Sequence, residues 1–281
     1  MHGMHARLPK NFVLEERLER YADAIELVPA SYAGHWADAC APLVADGRAP
    51  YREVRLDLGC GKGHFTAESA RRHPDVLFVG IDGEPVCIAY AAQKAIEGNL
   101  RNMVLVPGTG EQVADMFAPG EVSRIHLNFP TPYPRKKECH KRLVILERLM
   151  DYRRILAPDG QLVLKTDSQP LRDFALTQFD LAGYEVDWST DNARALLPDD
   201  PVSEYEERLT AQGACVYAVA ATPGPMPAHV EQTAPLSLVD YLPERLDGLD
   251  YIPHGMQGTV INLRNRDAKR FGRKHVQRRK G

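Results

Sequence analysis

Asp57-Leu58-Gly59-Cys60-Gly61-Lys62-Gly63 decides the fold. It closes a short strand-like run, Val54 to Leu58, and opens directly into a helical pattern. Three glycines at alternate positions let the backbone turn sharply and pass close to a ligand that a side chain would displace. A second strand-like run ends in Gly80-Ile81-Asp82, twenty-five residues after Asp57. In a doubly wound sheet this spacing sets Asp82 beside the glycine loop, where its carboxylate takes both hydroxyls of a ribose.

Working outward, Val54–Leu58, Leu77–Ile81, Met103–Val106, Arg124–Asn128 and Gln161–Lys165 are five expected strands, separated by helical stretches long enough for crossovers. The order βαβαβ predicts a parallel sheet of the α/β, doubly wound class, with helices on both faces. Tyr184–Trp188 and Ala214–Ala220 complete seven strands, and the Glu-rich stretch Val202 to Gln212 between them is expected to be helical. Residues 11–45 show apolar residues at helical spacing, so residues 1–50 are expected to form an N-terminal helical cover over a domain spanning 51–221. Pro223, Pro225, Pro227 and Pro235 mark residues 222–263 as a linker and docking segment. Residues 264–281 form a basic tail.

The loop also constrains the ligand. A dinucleotide fingerprint requires G-x-G-x-x-G, with the helix N-terminus facing pyrophosphate. Here the spacing is G-x-G-x-G, and an acid precedes the first glycine by two residues. That pattern suits a nucleoside ligand with a cationic amino group and no phosphate, a description that S-adenosylmethionine fits.

The fourth strand runs into an elbow, Asn128-Phe129-Pro130-Thr131-Pro132-Tyr133-Pro134-Arg135-Lys136-Lys137. Ligands of open parallel sheets bind outside the carboxyl ends of the strands, so the elbow faces the same cleft as the glycine loop. Prolines on both sides of Thr131 stiffen it, and the basic run that follows suits a polyanionic substrate.

These segments together carry a resemblance. The run from Val54 to Val219 resembles the tRNA (guanine-N7-)-methyltransferase family on six landmarks in order. They are Asp57 with its glycine loop, Gly80-Ile81-Asp82, Asn99-Leu100-Arg101, the Asn128–Lys137 elbow, Thr166-Asp167, and Ser203-Glu204-Tyr205-Glu206. The resemblance implies a class I, Rossmann-like methyltransferase sheet, mostly parallel with its last strand antiparallel. It implies transfer of a methyl group from S-adenosylmethionine to N7 of a tRNA guanine, in the family the variable-loop position 46. By motif position Asp57, Asp82, Thr109 and Thr131, with Gly59, Gly61, Gly63 and Asn128, would face the cofactor. Arg135, Lys136, Asp167, Ser203 and Glu206 would face the guanine nucleotide, and Thr131, Asp167 and Glu206 would serve the chemistry.

This chain also departs from the family pattern. Thr131 stands where the family elbow has its aspartate, Tyr133 where it has tryptophan, Glu138 where it has histidine, and Thr109 where an acid approaches the adenine. Guanine N7 has an in-plane lone pair and no proton, so attack on a sulfonium methyl needs no general base and depends on alignment. Two other functions stay open: methylation of another RNA base or amino group, since Asn128 to Tyr133 is loosely similar to an N-P-P-Y elbow, and a methyltransferase-like RNA-binding subunit without catalysis. Three residues also have structural alternatives. Asp167 could cap the helix beginning near Pro170, Ser203 and Glu206 could form a capping box, and His126 reads as a satisfied core histidine.

Composition narrows the class. The chain has 281 residues, 44% hydrophobic and 26% charged, which excludes collagen, coiled coil and disorder throughout. Five cysteines form no C-x-x-C pair, so neither a disulfide framework nor a metal site is expected. No apolar run approaches the roughly 20 residues needed to span a bilayer, and a cytoplasmic protein is expected. The formal charge of −3 conceals patterning. Residues 264–281 carry nine basic residues against one acid, and residues 134–154 eight against three, on an otherwise acidic body. An RNA partner would lie across the elbow and the tail.

Overall fold

The computed structural model describes residues 11–43, 47–246, 249 and 251–270. The described chain enters through a short helix, α1 (Leu14–Arg20), followed by three 3₁₀ turns at Ala22–Ala24, Pro29–Tyr32 and Trp36–Asp38. The continuous helical pattern expected over 11–45 is therefore broken. Ile25 turns extended and bridges Leu105 in parallel, Pro29 opens a new turn, and Gly34 takes a positive φ of 82°. The segment is still a cover: Trp36 is fully buried, stacks on Phe117 at 5.2 Å, and donates from its indole to the Met116 carbonyl at 2.7 Å.

Next come β1 (Glu53–Leu58), α2 (His64–Arg72), β2 (Val76–Asp82), α3 (Pro85–Glu97), β3 (Met103–Pro107), α4 (Val113–Met116) and β4 (Val122–Asn128). The second half comprises α5 (Leu146–Ile155), β5 (Leu156–Thr166), α6 (Gln169–Leu181), β6 (Tyr184–Thr190), α7 (Ala193–Leu196), α8 (Glu204–Thr210) and β7 (Tyr217–Pro223). One seven-stranded sheet results, in the order β3-β2-β1-β4-β5-β7-β6, with only β7 antiparallel to its neighbours. β2 is buried from Val76 through Ile81, as befits a central parallel strand covered on both faces. β7 begins three residues later than the sequence pattern suggests. The Ala214 N–H is taken by the Leu209 carbonyl, which holds that residue to the end of α8.

The order reverses between β1 and β4, because successive crossovers leave the sheet in opposite directions there. Their carboxyl ends therefore open a crevice. Register sets Asp57 of β1 beside Gly80 of β2 and His126 of β4, and Asn128 of β4 beside Lys165 of β5. His126 is buried, with its ring 5.0 Å from Phe65, yet its Nε2 has no hydrogen-bond partner, so it is not the satisfied core histidine expected. Burial holds its imidazole well below the usual range.

Beyond β7 the chain returns across the sheet. Leu238, Met256 and Val260 are fully buried and join the main apolar cluster with Leu56, Ile125 and Leu164. The last described element is α9 (Gln257–Arg270), so residues 264–270 of the basic tail are helical. Residues 271–281 lie outside the described residues, as do 1–10 and 44–46 of the cover. Among the described residues, no helix is long and apolar enough to cross a membrane, and no cluster of metal-ligating side chains occurs.

Candidate cofactor and substrate site

The glycine loop folds over the end of β2. The Gly59 and Cys60 N–H groups both donate to the Ile81 carbonyl, at 2.8 and 3.0 Å. Gly59, Gly61 and Gly63 all take positive φ, at 80°, 55° and 71°. Gly63 is confined further, because a Cβ there would stand 2.6 Å from the Ala91 Cβ of α3. That position therefore serves helix packing. Asp82 is held by the loop it serves: Gly61 N–H donates to Oδ2 and Glu84 N–H to Oδ1, each at 2.8 Å. Burial raises its carboxyl, opposed by those two N–H donors.

A cavity of about 420 Å³ lies outside these strand ends. Gly59, Asp82, Thr109, Asn128 and Thr131 line it, as the sequence suggested. Asp57, Gly61 and Gly63 do not. Asp57 lies beneath the loop at 1% exposure, accepting from Thr66 Oγ1 at 2.6 Å and from Asn128 Nδ2 at 3.3 Å. Burial pushes its carboxyl up to about 6, against the opposing hydrogen bonds and the Lys165 ammonium. It stands behind the cavity lining, bonded to the lining residue Asn128. Asn128 Oδ1, buried on a cavity-lining residue, has no hydrogen-bond partner. An open acceptor and a carboxylate lining one cavity fit a nucleoside bearing an ammonium group.

Sequence reasoning missed Glu111, His140, Lys141 and Arg148 as cavity residues. Glu111 follows Thr109 by two residues in the same turn and ion-pairs with Arg148 at 3.1 Å, so an acid does reach this wall. Proximity to Thr109 was the available signal.

The elbow is held differently from what its prolines suggest. Phe129 and Tyr133 take positive φ, 52° and 43°. Arg142, 1% exposed, donates to the carbonyls of Pro132 and Tyr133 and, at 2.9 Å, to that of Leu236. Burial pushes its guanidinium down to about 10. Arg142 thus leaves the basic surface and becomes a staple between the elbow and the C-terminal segment. Lys136, Lys137 and Lys141 are exposed, while exposed Arg135 pairs with Glu138 at 2.7 Å.

Asp167, Ser203 and Glu206 do not line the cavity. Asp167 Oδ2 accepts from Tyr251 Oη at 2.6 Å and from the His254 N–H at 3.0 Å. It does not cap α6; Ser168 does, accepting from Leu171 N–H at 3.3 Å. Ser203 caps α8 through Glu206 N–H at 3.1 Å, and the buried Glu206 carboxylate accepts from Arg194 Nε at 2.6 Å. The structure thus brings Thr131 to the cavity with Asp82 and Asn128, but gives the other two carboxylates partners from this chain.

Comparison with known proteins fits this geometry. A family described as "Putative methyltransferase" matches residues 51–219. A tRNA (guanine-N(7)-)-methyltransferase of Geobacillus kaustophilus is 38% identical over 165 residues, which cover 58% of this chain and 76% of that protein. The chain belongs to the tRNA (guanine-N(7)-)-methyltransferase family. Another member, from Lactiplantibacillus plantarum, is 36% identical over 60% of this chain and 79% of its own. The fold is shared with a 16S rRNA methyltransferase, KamB, at TM-score 0.51 and 18% identity, over 62% of this chain and 89% of that one. Thr131 is exposed and lines the cavity.

Proposed function

We propose that this chain transfers the methyl group of S-adenosylmethionine to N7 of a guanine in tRNA, forming 7-methylguanosine, with the variable-loop guanine at position 46 as its target. The observation that carries the proposal is the cavity at the β1/β4 crevice. Asp82, whose carboxylate accepts from the Gly61 N–H, Asn128, whose Oδ1 is unpartnered, and Thr131 all line it.

Asp82 would hold the ribose hydroxyls, Asn128 Oδ1 the amino group, and the Thr109–Glu111 turn the adenine. When bound, S-adenosylmethionine supplies an electrophilic methyl on a sulfonium. The protein's part is to orient two reactants and exclude competing geometries, since N7 needs no base. Methylation leaves the purine cationic, and a fixed carboxylate near the base stabilises that charge as it develops. Asp167 is the candidate for this task. Lys136, Lys137 and Lys141, exposed around the elbow, would contact tRNA phosphates. Residues 51–221 act as the catalytic domain, 222–263 dock on it, and 264–281 extend the basic surface. Its place of action is the cytoplasm, where tRNA is its partner.

Incubation with unmodified tRNA and labelled cofactor, followed by borohydride and aniline treatment, tests the assignment. Strand cleavage at a guanine is expected. Label incorporated without cleavage would point to another base or atom. No calorimetric affinity for the cofactor or its demethylated product would point to a scaffold.

A further inference from the structure

We infer that Tyr251 is a positioning residue for Asp167, and that the segment 251–256 completes the base-binding side of the site. The inference rests on the methyl-transfer function proposed above. The family model's match ends at residue 219, before this segment.

Four contacts converge on one place. Tyr251 Oη and the His254 N–H both donate to Asp167 Oδ2, at 2.6 and 3.0 Å. Ser168 Oγ donates to Met256 Sδ at 3.3 Å. Gly255 lies so close to the elbow that a Cβ on it would stand 3.3 Å from Pro132. The segment therefore bridges the end of β5 and the elbow, the two elements that flank the crevice on the substrate side.

Packing on both sides anchors the contact. Met256 and Val260 directly beyond it, and Leu238 before it, are fully buried in the same cluster as the sheet. Lifting this segment would strip these side chains from the core, a cost that opposes release of the Asp167 contact. Both donors take the same oxygen, and among the described residues Oδ1 accepts no hydrogen bond. One oxygen anchors the carboxylate and the other is left for a substrate donor. Burial, with Asp167 next, pushes the Tyr251 phenol up, so its hydroxyl remains a donor.

The surroundings suit a planar base. Phe129, which lines the cofactor cavity, packs edgewise on Tyr205 at 5.5 Å, and Tyr205 packs edgewise on His254 at 6.2 Å. Aromatic faces thus lead from the methyl-donor cavity to the fixed carboxylate, an arrangement that receives an unstacked nucleobase. Because Thr131 cannot carry charge, the negative charge that meets the purinium comes from Asp167, and its orientation depends on a residue 84 positions away.

The test is Tyr251→Phe in the full-length chain, which removes one hydroxyl and leaves the ring. Methyl transfer to tRNA is followed by total label, cofactor affinity by calorimetry with the demethylated product, and folding by thermal melting. We expect kcat to fall about tenfold, with the tRNA KM and cofactor affinity within twofold of wild type and the melting temperature unchanged. In an Asp167→Asn background, measured in single turnovers with enzyme in excess, the same substitution should change the rate less than twofold. An unchanged or raised kcat, an equal factor in both backgrounds, or a parallel loss of kcat, KM, cofactor affinity and melting temperature would each overturn the inference. Wild-type label without aniline cleavage overturns the N7 assignment alone, because total label still reports on Tyr251. A wild type that transfers no label overturns both.

Discussion

Lys165 and Asp200 form an ion pair of 2.5 Å in which the lysine is 1% exposed and the aspartate 24%. The Asp200 carbonyl accepts from Arg194 Nη1 at 2.8 Å, and Arg194 pairs with buried Glu206 at 2.6 Å. A run of charges therefore ties the carboxyl end of β5 to α8. Its two ends respond differently to mutation. Asp200→Asn strands a buried ammonium and should cost about 3 kcal/mol, whereas Lys165→Met leaves an aspartate that water can reach and should cost less. Urea unfolding of both variants checks this order; a larger loss for Lys165→Met would contradict it.

Asp57 predicts a pH dependence of stability. Its carboxyl lies near 6 in the folded chain against an ordinary value of 3.8, because burial favours the neutral form. The folded state then binds the proton more tightly than the unfolded one. The contribution of Asp57 is fully present below about pH 4 and is lost as pH rises through about 6, a change of up to roughly 3 kcal/mol. Asp57→Asn should flatten this part of the stability profile, since Asn128 can turn its unpartnered Oδ1 toward the new amide. Denaturant midpoints between pH 4 and 8 measure the difference.

Asp82 carries the clearest affinity prediction. Asp82→Ala removes both the proposed ribose acceptor and the anchor of the Gly61 N–H. Affinity for the demethylated cofactor should fall by roughly a factor of 10 to 100. Calorimetry giving wild-type affinity would rule out the ribose assignment.

Thr131→Asp restores the carboxylate of the family elbow at an exposed cavity position. Charge stabilisation of the purinium should raise kcat several-fold with little change in folding stability. Steady-state methylation of tRNA checks it, and a slower enzyme would argue against charge as the limiting factor.

Removing residues 271–281 takes away five of the nine basic residues of the tail while leaving α9 whole. If they contact phosphates, the slope of log affinity against log salt for tRNA should become shallower by up to about 4. Filter binding at salt concentrations from about 50 to about 200 mM measures it.

Much of the fold was legible from short spacings. Alternating strand and helix patterns placed all seven strands, and the Asp57-to-Asp82 interval put Asp82 beside the loop, as the Gly61–Asp82 hydrogen bond shows. The N-terminal pattern misled, because Pro29 and Gly34 interrupt a periodicity that their apolar neighbours sustain. Among site residues, Asp82, Asn128 and Thr131 were legible since each follows directly from a strand end.

The sequence by itself determined the order of strands and helices along the chain, the turn of the glycine loop and the strand ends that meet at the crevice. These depend on backbone preferences within a few residues of each position. Only the tertiary structure decided which charges stay available. Arg142 left the basic patch for a burial staple to Leu236, Asp57 went beneath the loop, and Asp167 acquired Tyr251. The physical reason is that burial and hydrogen-bond partnership are set by packing between segments far apart in the chain, and no local pattern near Asp167 announces a phenol 84 residues away.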